Sequence, residues 1–426
     1  MEFQAVKGTR DFYPEQMALR NWLTETWRRV SIRNGFVEFD APIIEYLDLF
    51  RVKSGDEIVS QLFSFTDRGG RELALRPEIT PTLARMVNAR IHSLPRPIKW
   101  FSIPRLFRAE NPQRGRLREF FQWNVDIIGS GETLADAECI FTAVDLLAEV
   151  GLTPQDVAVR IGSRPLTVAA LRRVGVQEAG MEAALAALDK RPNLSAEDFA
   201  RLAAEAGIAP EGLAQLCAFQ DAGDLQAAAE ALGGGKEVEE ETAKLRALME
   251  QLGHMGAGEY CRLDLRIVRG LAYYTGVVYE IHDAGGRLRA IAGGGRYDNL
   301  LEVLGGPEVG ATGFGMGDVV LTILLAEKHK LPDVSARLDC FVVSAAPGLG
   351  PAVLEVVGAL RRRGVVADYS FKRTSLSRQL KEANRRRADY AVIVRADGLA
   401  VKDLRTGQQR EVCREELLAD PGRHLS

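Results

Sequence analysis

Cysteine is scarce in this chain and is never paired at short range. Cys139, Cys217, Cys261, Cys340 and Cys413 stand far apart, with no C-x-x-C pair and no histidine at ligand spacing beside them. That pattern argues against a structural zinc module or a disulfide framework, and implies buried thiols in a reducing compartment. Long apolar runs are also missing: no segment reaches the roughly 18 uninterrupted apolar residues of a membrane span. Met1-Glu2-Phe3-Gln4 is not followed by a basic stretch and an apolar run, so neither secretion nor membrane insertion is expected and the expected location is cytoplasmic. A net positive charge is absent as well, the balance being -3. The deficit is uneven, however. Residues 337–426 carry 17 Lys and Arg against 11 Asp and Glu, while the remainder carries 38 against 47. A basic C-terminal part on an acidic body suggests a polyanion contact at one end, although a solvated helix face gives the same charge pattern.

What is present fits a globular protein, with 46% hydrophobic and 27% charged residues. Its 426 residues predict two to three domains and an ample core. Pro14 stands at a helix start, Met17, Trp22, Leu23 and Val30 follow helical spacing and Gly35 closes the pattern, predicting a helix over 14–34. Residues 36–40 alternate with period two up to Pro42, which predicts a strand. Further strands are expected at 73–76, 98–103, 119–128, 262–268, 277–282 and 289–292, with a helix over 134–150 ending at Gly151. Neighbouring strands with glycine turns between them imply an α+β body around an antiparallel sheet. From about 180 to 255 the chain turns Ala-, Leu- and Glu-rich, predicting a helical insertion with a turn at Arg191-Pro192-Asn193 and a break at Gly233-Gly234-Gly235. Beyond about 332 a strand at 340–343, helices at 350–363 and 376–387 and a strand at 390–394 imply a compact α/β domain. The expected division is therefore 1–330 and 331–426, with Leu331-Pro332-Asp333 as the linker.

The densest chemistry lies in F-R-A-E-N-P-Q-R-G-R-L-R-E-F-F-Q at 107–122, where two strand-like ends flank a loop rich in arginine. Guanidinium forks held beside one sheet surface suit phosphate groups, whether of a triphosphate or of an RNA end. This segment resembles motif 2 of histidyl-tRNA synthetases, and other landmarks of that family follow in order. K-G-T-R-D-F-Y-P at 7–14 resembles its N-terminal signature, and G-F-V-E-F-D-A-P at 35–42 its dimer-forming motif 1. L-R-P-E-I-T at 75–80 resembles an amino-acid-binding stretch, while R-G-L-A-Y-Y-T-G at 269–276 and G-G-G-R-Y-D at 293–298 resemble the two signatures particular to the histidine enzymes. The resemblance extends over nearly the whole chain.

It implies a class II synthetase: an antiparallel-sheet catalytic domain with a helical insertion, then an α/β anticodon-binding domain. It also implies a homodimer, ATP with Mg2+, and histidine and tRNA(His) as substrates, with no membrane partner and no metal held by side chains. Carried over by position, Arg108 and Arg269 become the catalytic cations, Arg108 on the α-phosphate and Arg269 near that phosphate and the substrate carboxylate. Arg116 would assist in binding ATP, and Gln113 and Arg118 would meet tRNA. Histidine would be held by Glu78, Thr80, Gln122, Asp126, Tyr273 and Tyr274, with the backbone of Gly293-Gly294-Gly295 lining the site. Arg361 to Arg363 and Arg385 to Arg387 are candidates for the anticodon region.

Two positions depart from the pattern. Motif 3 of the family ends in a Glu-Arg pair whose arginine meets the distal phosphate of ATP, yet in G-F-G-M-G-D-V-V-L at 313–321 that arginine falls on Val320. Ala272 replaces an acidic residue in the 269–276 signature. Arg116 or Arg296 could supply the missing charge, ATP could be held differently, or activity could be lost. Loss of activity would fit a histidine sensor resembling the regulatory subunit of ATP phosphoribosyltransferase. The retained Arg108, Arg269 and arginine-rich loop favour the synthetase, as does V-K-D-L-R-T-G at 401–407 in the C-terminal domain. A related ligase acting on something other than tRNA is the remaining reading.

Overall fold

A computed structural model of the chain describes residues 3–52, 61–268, 274–334, 337–372 and 374–425. Two compact units are distinguished: Met1–Asp11 with Arg20–Pro332, and Phe12–Leu19 with Asp333–Ser426.

The strands of the first unit are β1 Val37–Glu38, β2 Ile44–Tyr46, β3 Ser64–Thr66, β4 Glu72–Leu75, β5 Ile98–Ser102, β6 Arg105–Phe107, β7 Glu119–Ile128, β8 Val157–Ser163, β9 Cys261–Leu263, β10 Val277–Asp283, β11 Ala292–Arg296 and β12 Ala311–Gly317. Its main sheet has the order β1-β5-β7-β12-β11-β10-β8-β9, with β6 joined to β7, while β2-β4-β3 form a small sheet of their own. Among the described residues only the edge pairs β1–β5 and β8–β9 of the main sheet are parallel, so the expected antiparallel α+β architecture is the observed one.

One face of β7 carries Phe121, Trp123, Val125 and Ile127, all buried. The helix Pro14–Arg33 covers this face with Leu23, Trp27 and Val30, stacking Trp27 on Trp123 at 6.2 Å. Trp123 Nε1 donates to Ser31 Oγ at 2.8 Å. The helix ends because Gly35 takes φ +79°. Its N–H then reaches the Ile32 carbonyl and that of Phe36 the Ser31 carbonyl, both at 3.0 Å, closing a Schellman turn.

Three expected strands are corrected. The segment 36–40 pairs only over Val37–Glu38. The alternation at 262–268 stops at Leu263, because Asp264 folds the chain into a turn by accepting from Arg266 N and, through its carbonyl, from Ile267 N. The strand expected at 289–292 forms instead over Ala292–Arg296, since glycines pack closely between two neighbouring strands.

The insertion consists of helices Met181–Lys190, Ala196–Glu205, Pro210–Gln220, Leu225–Ala231 and Lys236–His254. Ser195 and Asp224 cap two of them by accepting from Asp198 N and Ala227 N. Gly233, Gly234 and Gly235 all take positive φ, a backbone that side chains resist, and so break the pattern before the long last helix.

The second unit holds β13 Leu338–Ser344, β14 Ala367–Tyr369, β15 Ala388–Val394, β16 Leu399–Asp403 and β17 Gln409–Val412, ordered β14-β13-β15-β16-β17. Alternation on β13 sends Cys340 and Val342 toward the helix Gly350–Arg362, and Phe341 and Val343 toward the helix Leu376–Arg385. This is the α/β domain expected from the sequence.

Candidate active site

The opposite face of β7 carries Gln122, Asn124 and Asp126, polar residues at period two. Across the ladder they stand against Gly317, Gly315 and Gly313 of β12. Gly315 and Gly313 stand in turn against Gly293 and Gly295 of β11, and Gly293 against Glu280 of β10. Cross-strand partners share a face, so the glycines form a floor on which polar side chains can lie. A Cβ at Gly315 would come within 2.7 Å of the Gln122 amide, and one at Gly295 within 2.8 Å of the Tyr274 ring. A Cβ at Gly313 would run into the Asp126 carboxylate. Over this floor opens a cavity of about 430 Å³. Asp126 is buried at its base and accepts from the hydroxyl of Tyr297. Carboxylates, hydroxyls and an amide converging on a small space suit a ligand rich in hydrogen-bond donors.

The other end of the cavity is cationic. Arg108, Arg116 and Arg289 line it together with Gly115, Phe120 and Val320. Arg108 comes from the hairpin between β6 and β7; its Nε donates to the Pro77 carbonyl at 3.3 Å and its guanidinium lies 5.1 Å over the Phe120 ring. Arg116 is paired with Glu110 at 2.8 Å. The hairpin tip is a tight turn in which Arg116 N donates to the Gln113 carbonyl at 2.8 Å and Gly115 takes φ +81°. Burial, then repulsion from Arg116 and Arg108, pulls the Arg289 guanidinium below its usual range.

The helix Asp318–Glu327 begins at this wall. Asp318 is buried, accepting from Arg10 at 2.7 Å and from Phe121 N at 3.0 Å, and burial pushes its carboxyl above the usual range. Arg10 belongs to the 7–14 signature, and Gly8 beside it accepts from Arg118 N at 2.9 Å. That segment therefore anchors the hairpin and the helix start.

Seven residues singled out from the sequence, Glu78, Thr80, Arg108, Arg116, Gln122, Asp126 and Tyr274, meet in this one cavity. Gln113 and Arg118 sit on the hairpin outside it, the Arg118 Nε donating to the Glu110 carbonyl at 3.1 Å. Arg269, Ala272 and Tyr273 lie outside the described residues. Arg296 is not a spare cation. It is buried, donating to Asp136 at 2.7 Å and to the carbonyls of Ser130 and Glu132, and has Asp298 at 3.1 Å. It braces the sheet and does not line the cavity.

Sequence reading missed Asn124, Glu280, Arg289, Tyr297 and Asp318. The Q-W-N-V-D alternation on β7 is a signal for Asn124, but nothing local marks Arg289. Among the described residues no three His, Cys, Asp or Glu side chains gather as metal ligands, and no helix is long and apolar enough to cross a membrane. All five cysteines are free, but the expected burial holds only for Cys139, Cys261 and Cys340, since Cys217 is half-buried and Cys413 exposed; burial pushes the thiols of Cys261 and Cys340 up to about 12.

A family model described as histidyl-tRNA synthetase matches residues 8–317. The histidine–tRNA ligase of Opitutus terrae is 40% identical over 425 residues, covering 98% of this chain and 97% of that protein. Among solved structures, the histidyl-tRNA synthetase of Nostoc sp. PCC 7120 superposes with a TM-score of 0.83 at 23% identity, covering 100% of this chain and 99% of that one, a likeness of fold. A Bacillus halodurans chain described as an ATP phosphoribosyltransferase regulatory subunit/histidyl-tRNA synthetase superposes with a TM-score of 0.77 at 25% identity, over 93% of this chain and 100% of its own.

Proposed function

The chain belongs to the histidyl-tRNA synthetase family and acts as a histidine–tRNA ligase, and from this premise we propose how its cavity divides the work. The observation that carries the assignment is the union, in one cavity, of a glycine-floored polar pocket and an arginine-lined end. The family uses ATP, and the reaction has two steps. The histidine carboxylate attacks the α-phosphorus of ATP, forming a P–O bond as the bond to pyrophosphate breaks. A terminal ribose hydroxyl of tRNA(His) then attacks the activated carbonyl, and AMP leaves.

Glu78, Thr80, Gln122, Asp126 and Tyr274 hold the ammonium and imidazole of histidine, with Tyr273 joining them by its place in the 269–276 signature. A pocket that pairs these donors disfavours analogues lacking them, because its own buried acceptors would be left unsatisfied. Arg108 faces the α-phosphate, and Arg269 is assigned beside it by the same signature. The first step brings two anions together, so fixed cations aimed at the developing charge lower the barrier. Arg116 assists ATP through its position across the cationic end. Among the described residues no cluster of side chains forms a metal site of its own, so magnesium would enter with the triphosphate, where it would neutralise charge on the phosphate oxygens.

Gln113 and Arg118, on the hairpin beside the cavity, are assigned to the acceptor end of tRNA. In the second unit, Lys372, Arg378, Lys381 and Arg385 line one groove. Phe371 beside it is 79% exposed and stands edge-on to Tyr369 at 5.1 Å, a surface suited to unstacked bases. Arg361 and Arg386 are partly neutralised by Asp368, so of the two arginine clusters Arg385, which lines this groove, is the member we assign to the anticodon contact. A homodimer is supported by exposed apolar side chains at Val37, Ile43, Ile44, Tyr46 and Phe65. Histidine-dependent exchange of pyrophosphate into ATP by the purified protein tests the adenylation step. A histidine sensor without catalysis would bind histidine and show no exchange.

A further inference from the structure

Arg289 lies outside every segment that suggested the site, yet its stem sits at the cationic end of the cavity. A Cβ placed on Gly115 would lie 3.3 Å from Val320 Cγ2 and 3.9 Å from Arg289 Cδ. The hairpin tip, the first turn of the helix Asp318–Glu327 and the Arg289 stem therefore close around one small volume. Val320 is aliphatic and buried there, so that turn offers an anion no side-chain cation at this position. Of the three guanidiniums at this end, Arg108 is held by a carbonyl and Arg116 by Glu110. Arg289 makes no hydrogen bond or ion pair among the described residues. The charges that act on it most strongly are Arg116, Glu110 and Arg108, two cations against one carboxylate. Arg289 is exposed at this mouth of the cavity, so its guanidinium is free to swing onto an incoming anion, and a surplus of cations around one space draws a polyanion into it.

We propose that Arg289 binds the distal phosphate of ATP, approaching from the loop before β11 to supply the charge that Val320 lacks. The inference rests on the adenylation reading above. Arg289 is a binding and positioning residue for the leaving pyrophosphate: it stabilises the distal charge while the bond at the α-phosphorus breaks, and takes no proton. Arginine suits the task because its fork can engage two phosphate oxygens at once.

The test is histidine-dependent pyrophosphate exchange by the full-length protein, with KM for ATP and for histidine measured separately. Arg289→Gln is expected to raise KM for ATP by about 10- to 100-fold and to leave KM for histidine within about twofold. A non-hydrolysable histidyl-adenylate analogue, which has no β- or γ-phosphate, should bind the variant as it binds the parent. Adding Val320→Arg to Arg289→Gln should recover much of the ATP affinity, and Arg289→Lys should retain part of it. An unchanged KM for ATP in Arg289→Gln overturns the inference, and so does equal weakening of the adenylate analogue, which would mark a merely structural role. Absence of exchange in the parent protein would overturn the adenylation reading and this inference with it, whereas exchange with an unmoved KM for ATP overturns the inference alone.

Discussion

Glycine does two different jobs in G-G-G-R, and the difference is testable residue by residue. Gly293 lines the cavity and Gly295, on the same face, lies under the Tyr274 ring, while Gly294 faces the core, where a Cβ would meet the Tyr279 ring at 2.6 Å and strike the Gly313 carbonyl. Neither can move, since Tyr279 is fully buried and the carbonyl belongs to the ladder. Gly294→Ala is therefore expected to destabilise the first unit by about 3 kcal/mol or more, read as a fall in its thermal midpoint. Gly315→Ala should behave differently. Its Cβ would meet the Gln122 amide, the far end of a side chain that can swing aside, so the protein should fold but hold histidine poorly. Calorimetry should show histidine affinity reduced about tenfold, with the thermal midpoint changed little; unaltered affinity would remove Gln122 from the pocket. The triple glycine was legible as a place of close backbone approach. That its middle member serves the core was not, because which face a glycine takes depends on strand register.

At the scale of elements, one carboxylate fixes where the helix Asp318–Glu327 returns to the sheet. Asp156, just before β8, accepts from Thr153 N and Thr153 Oγ1 at 3.0 Å and pairs with Lys328 at 2.9 Å and Lys330 at 3.3 Å. Burial alone would raise its pKa, but the hydrogen bonds from Lys328, Thr153 and Lys330 outweigh it and hold the carboxyl well below the usual range. The sign follows from the depressed folded value. The stabilisation is fully present above the unfolded pKa of about 3.9 and is lost as pH falls through the folded value. Asp156→Asn should therefore cost about 1 kcal/mol near neutral pH, discounted for the solvent that still reaches the lysines. In strong acid the two proteins should converge. Urea titrations at pH 7 and in acid strong enough to pass below the folded value check this, and a difference that stays constant over that whole range would refute it. Elements of strong period were legible: the helices at 14–33 and 133–149, the strand at 119–128 and the apolar run at β15. The alternating stretch at 262–268 was misread because a side chain, Asp264, captures the backbone and turns it. β8 and β12 were not read, the latter because alternate glycines leave no hydrophobic pattern, although in the fold they are what makes room for the ligand.

For the whole molecule, the exposed apolar residues of β1 and the small sheet predict association. Light scattering at micromolar concentration should give twice the chain mass of 46.7 kDa, and Val37→Glu with Tyr46→Glu should lower it toward one chain. The second unit carries the remaining prediction, because its function and that of the cavity separate in different assays. Lys372, Arg378 and Lys381 line its groove beside the exposed ring of Phe371, and exchanging all three for glutamine removes three charges without opening the core. If the groove holds tRNA, each lost phosphate contact should reduce the slope of log affinity against log salt by roughly 0.7 to 0.9. Removing Phe371 should weaken binding with little change in that slope, since stacking releases few counterions. Neither change touches the cavity, so histidine-dependent pyrophosphate exchange should proceed at the parent rate while aminoacylation requires more tRNA. Aminoacylation at matched salt that is indifferent to all four substitutions would dissociate the groove from RNA. The net positive charge of residues 337–426 would then be no more than a solvated surface, the alternative that charge counting alone left open.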